Sequence, residues 1–288
     1  MAAGPPASPA PIDLTEPSVA TTPDEGALTF IGTATVLLRL GSFTILTDPN
    51  FLHAGEHVYL GLGLTSKRRT EPAMELGDLP PLDLVILSHH HGDHFDRVAA
   101  EGLDKDLPIV TEPHSARKLT SQGFRRPIAL DTWQSQVFRR GHQQLTITSM
   151  PGKHAPQPLQ TFLPPVMGSL VELTVAGVLR FRLYITGDTL LHDRLREIPE
   201  RYPDIDLCLI HLGGTRVAGI LLTMDAAQGV KALQLVRPRT AVPIHYDDYT
   251  VFKSPLSDFR QQAATASLAT EVRYVDRGET FRFPLAGR

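Results

Sequence analysis

The chain has 288 residues, of which 42% are hydrophobic and 20% charged, with a formal net charge of −3 at pH 7. This is an ordinary globular balance, and it gives no general attraction to nucleic acid or to anionic lipid. A single cysteine, Cys208, excludes an intrachain disulfide and any Cys-rich zinc site, so a bound metal must be held by His and carboxylate.

Residues 1–26 are rich in Pro, Ala, Ser and Thr and lack both a basic n-region and an apolar h-region. They are expected to be a flexible tail, not a signal peptide. No stretch reaches the ~20 apolar residues of a membrane span, so a soluble cytoplasmic protein is expected. The folded domain is expected over 27–288, with no linker-like break. ALTFIG, ATVLLRL and FTILTDP read as consecutive hairpin strands punctuated by glycine. The stretch from Asn50 to Pro81 reads as a loop, and loops of that length in compact domains are often functional.

Leu84 to Leu87 is a continuous apolar run, the pattern of a strand buried on both faces. Beyond it, Phe95–Leu103 and Ser115–Gln122 read as helices around a strand at Pro108–Thr111. Strands are expected at 128–130, 143–149, 169–175, 178–186, 207–210 and 241–244. Helices are expected at 190–198, 224–236 and 256–268, and two strands close the chain. Strand pairs joined by hairpin-length turns favour a layered α/β sandwich over a doubly wound parallel sheet.

The run Leu84–Leu87 leads straight into SHHHGDHFD, residues 88–96, which holds four histidines and two aspartates in nine residues. In an extended strand alternate side chains share a face, so His89 and His91 project together while His90 projects away. Gly92 permits a sharp turn, which sets Asp93 and His94 near a helix start. The spacing can serve two neighbouring metals, because imidazole and carboxylate are good ligands for divalent ions. It cannot complete either coordination sphere alone. Remote partners are available at the ends of other strand-like runs: His154 in PGKH, Asp188 in TGDT and His245 in PIHY. Ligands on strand ends are held rigidly, as a catalytic site requires.

Taken together, HHHGDH, GKH, TGDT and PIHY resemble the metallo-β-lactamase superfamily, in order and over nearly all of 27–288. The flanking pieces ATVLLRL, FTILTDP and LPPLDLVILSH are similar to a narrower branch. It contains L-ascorbate-6-phosphate lactonase-like proteins and the N-acyl-phosphatidylethanolamine-hydrolysing phospholipase D. The resemblance implies a four-layer αββα sandwich with a dinuclear metal site along one edge. It implies that His89, His91 and His154 bind one metal, that Asp93, His94 and His245 bind the other, and that Asp188 bridges both. Zinc is the expected metal, with Mn or Fe also accepted by such donors. The implied activity is hydrolysis of an ester-type bond, phosphodiester or lactone/carboxylic ester, by metal-activated hydroxide, with Asp93 orienting the nucleophile and moving its proton. The implied substrate is a small-molecule or lipid-like ester; no nucleic-acid partner is expected. Two other classes compete. A di-iron redox relative usually carries Glu where this chain has His91, together with an appended flavodoxin-like domain. A non-catalytic metal-binding protein should show eroded ligands.

Several residues keep two readings. Asp48, in TDPN, is an Asp-Pro turn initiator or, as the resemblance implies, an acceptor for a ligand imidazole. His211, in LIHLGG, faces substrate or is a core histidine. Asp96 accepts from a ligand histidine or, as the favoured reading, supports the first helical turn by its charge. His53, His57 and Tyr59 in the long loop can line a pocket. Lys67-Arg68-Arg69 reads as a solvated charge run before a phosphate site. The apolar, Pro-rich segment 155–167 can form a lid or pocket wall. Cys208, inside an apolar run, reads as a small buried hydrophobe.

Overall fold

The computed structural model describes residues 8–15, 24–61, 63–156, 160 and 163–285. Two sheets face each other. The first has seven strands in the order Thr280–Pro284, Glu25–Gly32, Thr35–Leu40, Phe43–Thr47, Leu84–Ile86, Ile109–Thr111 and Pro127–Ala129. The second has eight, in the order Ile12–Asp13, Ser135–Arg140, Gln143–Met150, Gly168–Val175, Val178–Ile185, Leu207–His211, Thr240–Ile244 and Glu271–Val272. Each sheet joins an antiparallel hairpin region to a parallel region, and the change falls at Phe43–Thr47 beside Leu84–Ile86 and at Val178–Ile185 beside Leu207–His211.

Period-2 side-chain alternation builds the layers. Val36, Leu38, Leu84, Ile86, Leu207 and Leu209 point into the core between the sheets, where they meet Phe30, Phe138 and Val242. Their neighbours Leu37, Val85 and Leu87 point outward against Ala99, Leu103 and Leu119, from the helices Arg97–Gly102 and Pro113–Ser121. On the other side Cys208 and Ile210 pack against Val230, Leu233 and Phe259, from Ala226–Val236 and Leu256–Thr265. The order is therefore helix, sheet, sheet, helix, the expected αββα sandwich. Each fully buried aliphatic or aromatic side chain contributes about 1.5–3 kcal/mol to such a core. Helix ends follow local chemistry: Asp96, Glu112 and Asp225 accept backbone N–H bonds as N-caps, and Arg237 closes Ala226–Val236 in the left-handed conformation just before Pro238.

Some elements differ from the sequence reading. Within the stretch expected to be a flexible tail, Ile12–Asp13 pairs in parallel with Phe138 and Arg139. Ile12 and Leu14 pack against the central core, and Arg140 Nε donates to the Thr15 carbonyl. Residues 1–7 and 16–23 of that stretch lie outside the described residues. The strand Ser135–Arg140 was not anticipated. The Asn50–Pro81 stretch contains a small hairpin, His57–Tyr59 with Thr65–Lys67, and a second unanticipated hairpin joins Arg216–Val217 to Ile220–Leu221. The helix expected over 190–198 is a 3-10 turn, Asp193–Arg196, running into the short helix Glu197–Arg201. Among the described residues no helix is long and apolar enough to cross a membrane.

Candidate metal centre

Six strands end at one edge of the sandwich, and each hands a polar side chain to it. Phe43–Thr47 leads to Asp48, Leu84–Ile86 to Ser88–His94, Gln143–Met150 to His154, and Val178–Ile185 to Asp188. Leu207–His211 ends on His211 and Thr240–Ile244 leads to His245. Asp48 and His245 hold positive φ angles of 36° and 60°. Such conformations are costly outside glycine and persist where the surrounding structure imposes them.

Three groups of potential ligand atoms result: His89, His91 and His154; Asp93, His94, Asp188 and His245; and Asp48, His94 and His211. In the first, His89 Nε2 and His91 Nδ1 lie 2.9 Å apart. His154 Nδ1 lies 3.0 Å from the Asp188 carbonyl oxygen and donates to it, which leaves Nε2 as the free lone pair. In the second, His94 Nε2 lies 3.3 Å from Asp188 Oδ2 and 4.0 Å from Asp93 Oδ2. His245 Nε2 lies 3.6 Å from Asp93 Oδ2, and His245 Nδ1 donates to the Leu212 carbonyl at 3.1 Å. The groups adjoin, since the His89 and His94 rings are 4.2 Å apart between centroids. Asp188 touches both: its carboxylate belongs to the second group and its carbonyl holds the first group's His154. His90 turns away, with Nε2 3.0 Å from Gln122 Oε1.

The supporting contacts show where Asp48 and His211 lie. Asp48 Oδ1 accepts from Ser88 N at 2.7 Å and from Ser88 Oγ at 2.9 Å. Its Oδ2 faces His94 Nδ1 and His211 Nε2, each at 3.5 Å. Asp48 therefore sits behind His94 as an acceptor for its far nitrogen. His211 is fully buried beside it, with Nδ1 3.3 Å from Thr186 Oγ1, and does not face the cavities described below. Asp96 caps its helix and also accepts from the Phe51 and Leu52 amides. Two supports gave no sequence signal. Thr223 Oγ1 donates to Asp188 Oδ2 at 3.0 Å, and Asn50 Nδ2 donates to the Gly92 carbonyl at 2.9 Å. Asn50 is held in turn by Tyr249 Oη at 3.0 Å and by Arg68. Arg68 is fully buried, which corrects the reading of Lys67-Arg68-Arg69 as a solvated run. A bulky residue flanked by charges looks exposed in sequence, and only the tertiary partner reveals its burial.

Gly92 needs a different reason from the one expected. It does not adopt positive φ; a Cβ there would lie 2.9 Å from the Tyr59 carbonyl, so the glycine admits the 57–67 hairpin. Gly187, before Asp188, does have positive φ, at 63°, and its Cβ would lie 2.7 Å from the Met167 carbonyl.

The electrostatics divide the histidines. Burial holds His89, His91 and His154 below the ordinary imidazole pKa, with His91 at about 3. Burial acts the same way on His94 and His245, but carboxylates led by Asp188 outweigh it and raise both. Burial also opposes charge on Asp48, yet His94 and His211 hold it down to about 2. Asp93 and Asp188 are likewise lowered, against burial, by His94 and His245. Two ionised carboxylates among buried imidazoles form a site that demands positive charge.

That demand provides the test of fit to a metal. Asp93 Oδ1, Asp188 Oδ1, His94 Nε2 and His245 Nε2 are buried with no hydrogen-bond partner among the described residues. Unpaired buried polar atoms are expensive, and these four lie together. Their types, imidazole nitrogen and carboxylate oxygen, suit divalent transition metals. The other nitrogen of His89, His94, His154 and His245 faces a hydroxyl, carboxylate or carbonyl oxygen, as is typical of metal-bound histidine.

Over these atoms lies a cavity of about 320 Å³, floored by His91, Asp93, His154 and Asp188 and walled by aliphatic side chains including Leu60, Leu64, Val217 and Leu222. The segment 155–167, expected to form a wall, lies partly outside the described residues; its Leu163 lines this cavity. Cys208 is buried, and burial raises its thiol pKa well above the ordinary value.

A family model described as a beta-lactamase superfamily domain matches residues 44–246. The chain is 25% identical over 261 residues to a UPF0173 metal-dependent hydrolase of Aeropyrum pernix, covering 89% of this chain and 97% of that protein. It is 27% identical over 232 residues to an N-acyl-phosphatidylethanolamine-hydrolyzing phospholipase D of Caenorhabditis elegans, covering 77% of this chain and 64% of the nematode protein. Among solved structures, the isothiocyanate hydrolase from Delia radicum gut bacteria superposes with a TM-score of 0.75 at 22% identity, covering 90% of this chain and 99% of that one.

Proposed function

The chain belongs to the metallo-β-lactamase superfamily and is a metal-dependent hydrolase; from that premise we propose that it cleaves an ester-type bond, phosphodiester or lactone/carboxylic ester, at a dinuclear site. The carrying observation is the set of orphaned donor atoms on Asp93, His94, Asp188 and His245, buried beside the His89–His91–His154 group. In this reading His89, His91 and His154 hold one cation and Asp93, His94 and His245 the other, with Asp188 serving both. Zinc is the first choice of metal. When bound, divalent cations supply Lewis acidity and bring the pKa of water toward ~7.

The chain's own residues supply the rest. Asp93 faces the cavity with Oδ1 free of any partner among the described residues, placed to take the proton of an attacking water and return it to the leaving oxygen. Thr223 fixes Asp188 through Oδ2 and leaves Oδ1 without a hydrogen-bond partner among the described residues. Asp48 faces His94 Nδ1 and the Asp188 carbonyl holds His154 Nδ1, which leaves Nε2 of each as the nitrogen a cation would take in place of a proton. The aliphatic walls exclude bulk water and accept an apolar part of the substrate. The phospholipase relative supports a lipid-like ester as one candidate.

The test is a screen of the zinc- and manganese-loaded protein against bis(p-nitrophenyl) phosphate and a panel of lactones and aryl esters. Metal-dependent turnover of either class, abolished in Asp188→Ala, is the expected result. No metal-dependent hydrolysis of any of them would remove the ester reading.

A further inference from the structure

The metal-centre cavity does not end at its aliphatic walls. It adjoins a second, larger groove of about 790 Å³, and the two share Leu60, Gly61, His91 and Leu163. The groove differs in chemistry from its neighbour. His114 and Lys118 reach it from the helix Pro113–Ser121, four residues apart and so on one face of that helix. His57 reaches it from the small hairpin, and His90 and Arg97 from either side of the ligand motif. Arg97 is engaged by the Glu56 carboxylate. Among the described residues the one carboxylate in the lining, Asp96, is buried and spent on backbone amides.

We propose that this groove is an anion subsite, built on Lys118 with His114 and His57, that binds an acidic terminus of the substrate. The proposal rests on the hydrolase reading of the adjoining site and narrows its substrate class. The substrate is an amphiphilic ester with an apolar part in the aliphatic cavity, the scissile bond at the shared wall beside His91, and a carboxylate or phosphate in the groove. His90, turned away from the ligand groups, becomes a wall of this subsite. Lys67-Arg68-Arg69, the basic run that stands out in the sequence, is not part of it: Arg68 is fully buried and none of the three lines the groove.

The experiment is calorimetric titration of the full-length metal-loaded protein with three probes that carry no ester bond: 4-(butyrylamino)benzoate, 4-(butyrylamino)phenylphosphonate and the neutral 4-(butyrylamino)benzamide. Wild type is expected to bind at least one acid about three- to fivefold more tightly than the amide, and the two acids separate a carboxylate from a phosphate-like terminus. Lys118→Glu should erase that preference while leaving amide binding within about twofold, and Lys118→Arg should keep it. Lys118 is exposed, so these variants do not disturb the core. Equal affinity for acid and amide in wild type, no binding of any probe, or a preference surviving Lys118→Glu would each overturn the proposal. Turnover of 4-butyryloxybenzoate is read separately. Selective binding without turnover keeps the subsite and removes the carboxylic-ester arm of the reading, whereas turnover without selectivity keeps that arm and removes the subsite.

Discussion

Replacing Asp48 by Asn tests whether the contacts behind the metal centre set its chemistry. The exchange keeps size and shape, and Asn tolerates the left-handed backbone that residue 48 adopts at φ 36°. One oxygen of Asp48 is committed to Ser88, accepting at 2.7 and 2.9 Å. The Asn carbonyl must take that place. Its NH₂ then points at His94 Nδ1 and His211 Nε2, where the carboxylate oxygen lay 3.5 Å from each. A donor facing His94 Nδ1 favours the tautomer with the proton on Nε2, the nitrogen that faces Asp188. That tautomer has no lone pair to give a metal. Loss of such an orienting partner typically lowers metal affinity or activity about 10–100-fold, or roughly 1.4–2.7 kcal/mol. Competitive chelator titration of wild type and Asp48→Asn, with metal content read by mass spectrometry, measures it. Affinity within about twofold of wild type, with the fold intact by circular dichroism, would refute the orienting role.

Other consequences follow from the same geometry. Loading the metal-free protein should release protons, because His94 and His245 sit above the ordinary imidazole pKa in the field of the carboxylates. Apparent affinity should therefore weaken as pH falls from 7 to 5; calorimetry in buffers of different ionisation enthalpy reads the protons, and pH-independent binding would contradict the assignment. Thr223→Val should lower kcat about tenfold and also lower Tm by the equivalent of about 1–3 kcal/mol, since it removes the hydroxyl donor from the buried Asp188 Oδ2. Arg68→Leu should cost about 1–3 kcal/mol, seen as a fall in Tm, because it removes one buried donor from Asn50 Oδ1 and the side-chain donor from the Thr70 carbonyl. Gly92→Ala should cost a similar ~1–3 kcal/mol by pressing a methyl against the Tyr59 carbonyl.

The sandwich was legible because its strands carry strong local signals. Leu84–Ile86 is apolar throughout and buried on both faces, and Glu25–Gly32 alternates. The clustering of His89, His91, Asp93, His94, His154, Asp188 and His245 was legible because each follows an apolar run and so lies at a strand end. What escaped were elements defined by partners far away in sequence. Ser135–Arg140 reads as polar, yet Val137 and its neighbours pair along Gln143–Thr148. Ile12–Asp13 has no strand signal beyond one isoleucine between prolines and acids, and exists because the edge of the second sheet is open to it. Thr223 and Asn50 are ordinary polar residues in sequence; only folding places them on Asp188 and on the Gly92 carbonyl. Gly92 suggested a turn, but the structure uses it for space. The cationic groove draws on a hairpin, a helix and the ligand loop, so no single stretch could announce it.

The account stands or falls on cations filling the two ligand groups. Protein purified without chelator and dialysed against metal-free buffer should retain about two divalent ions per chain, falling sharply in Asp188→Ala and His89→Ala. Well under one ion per wild-type chain, or full occupancy in both variants, would contradict it.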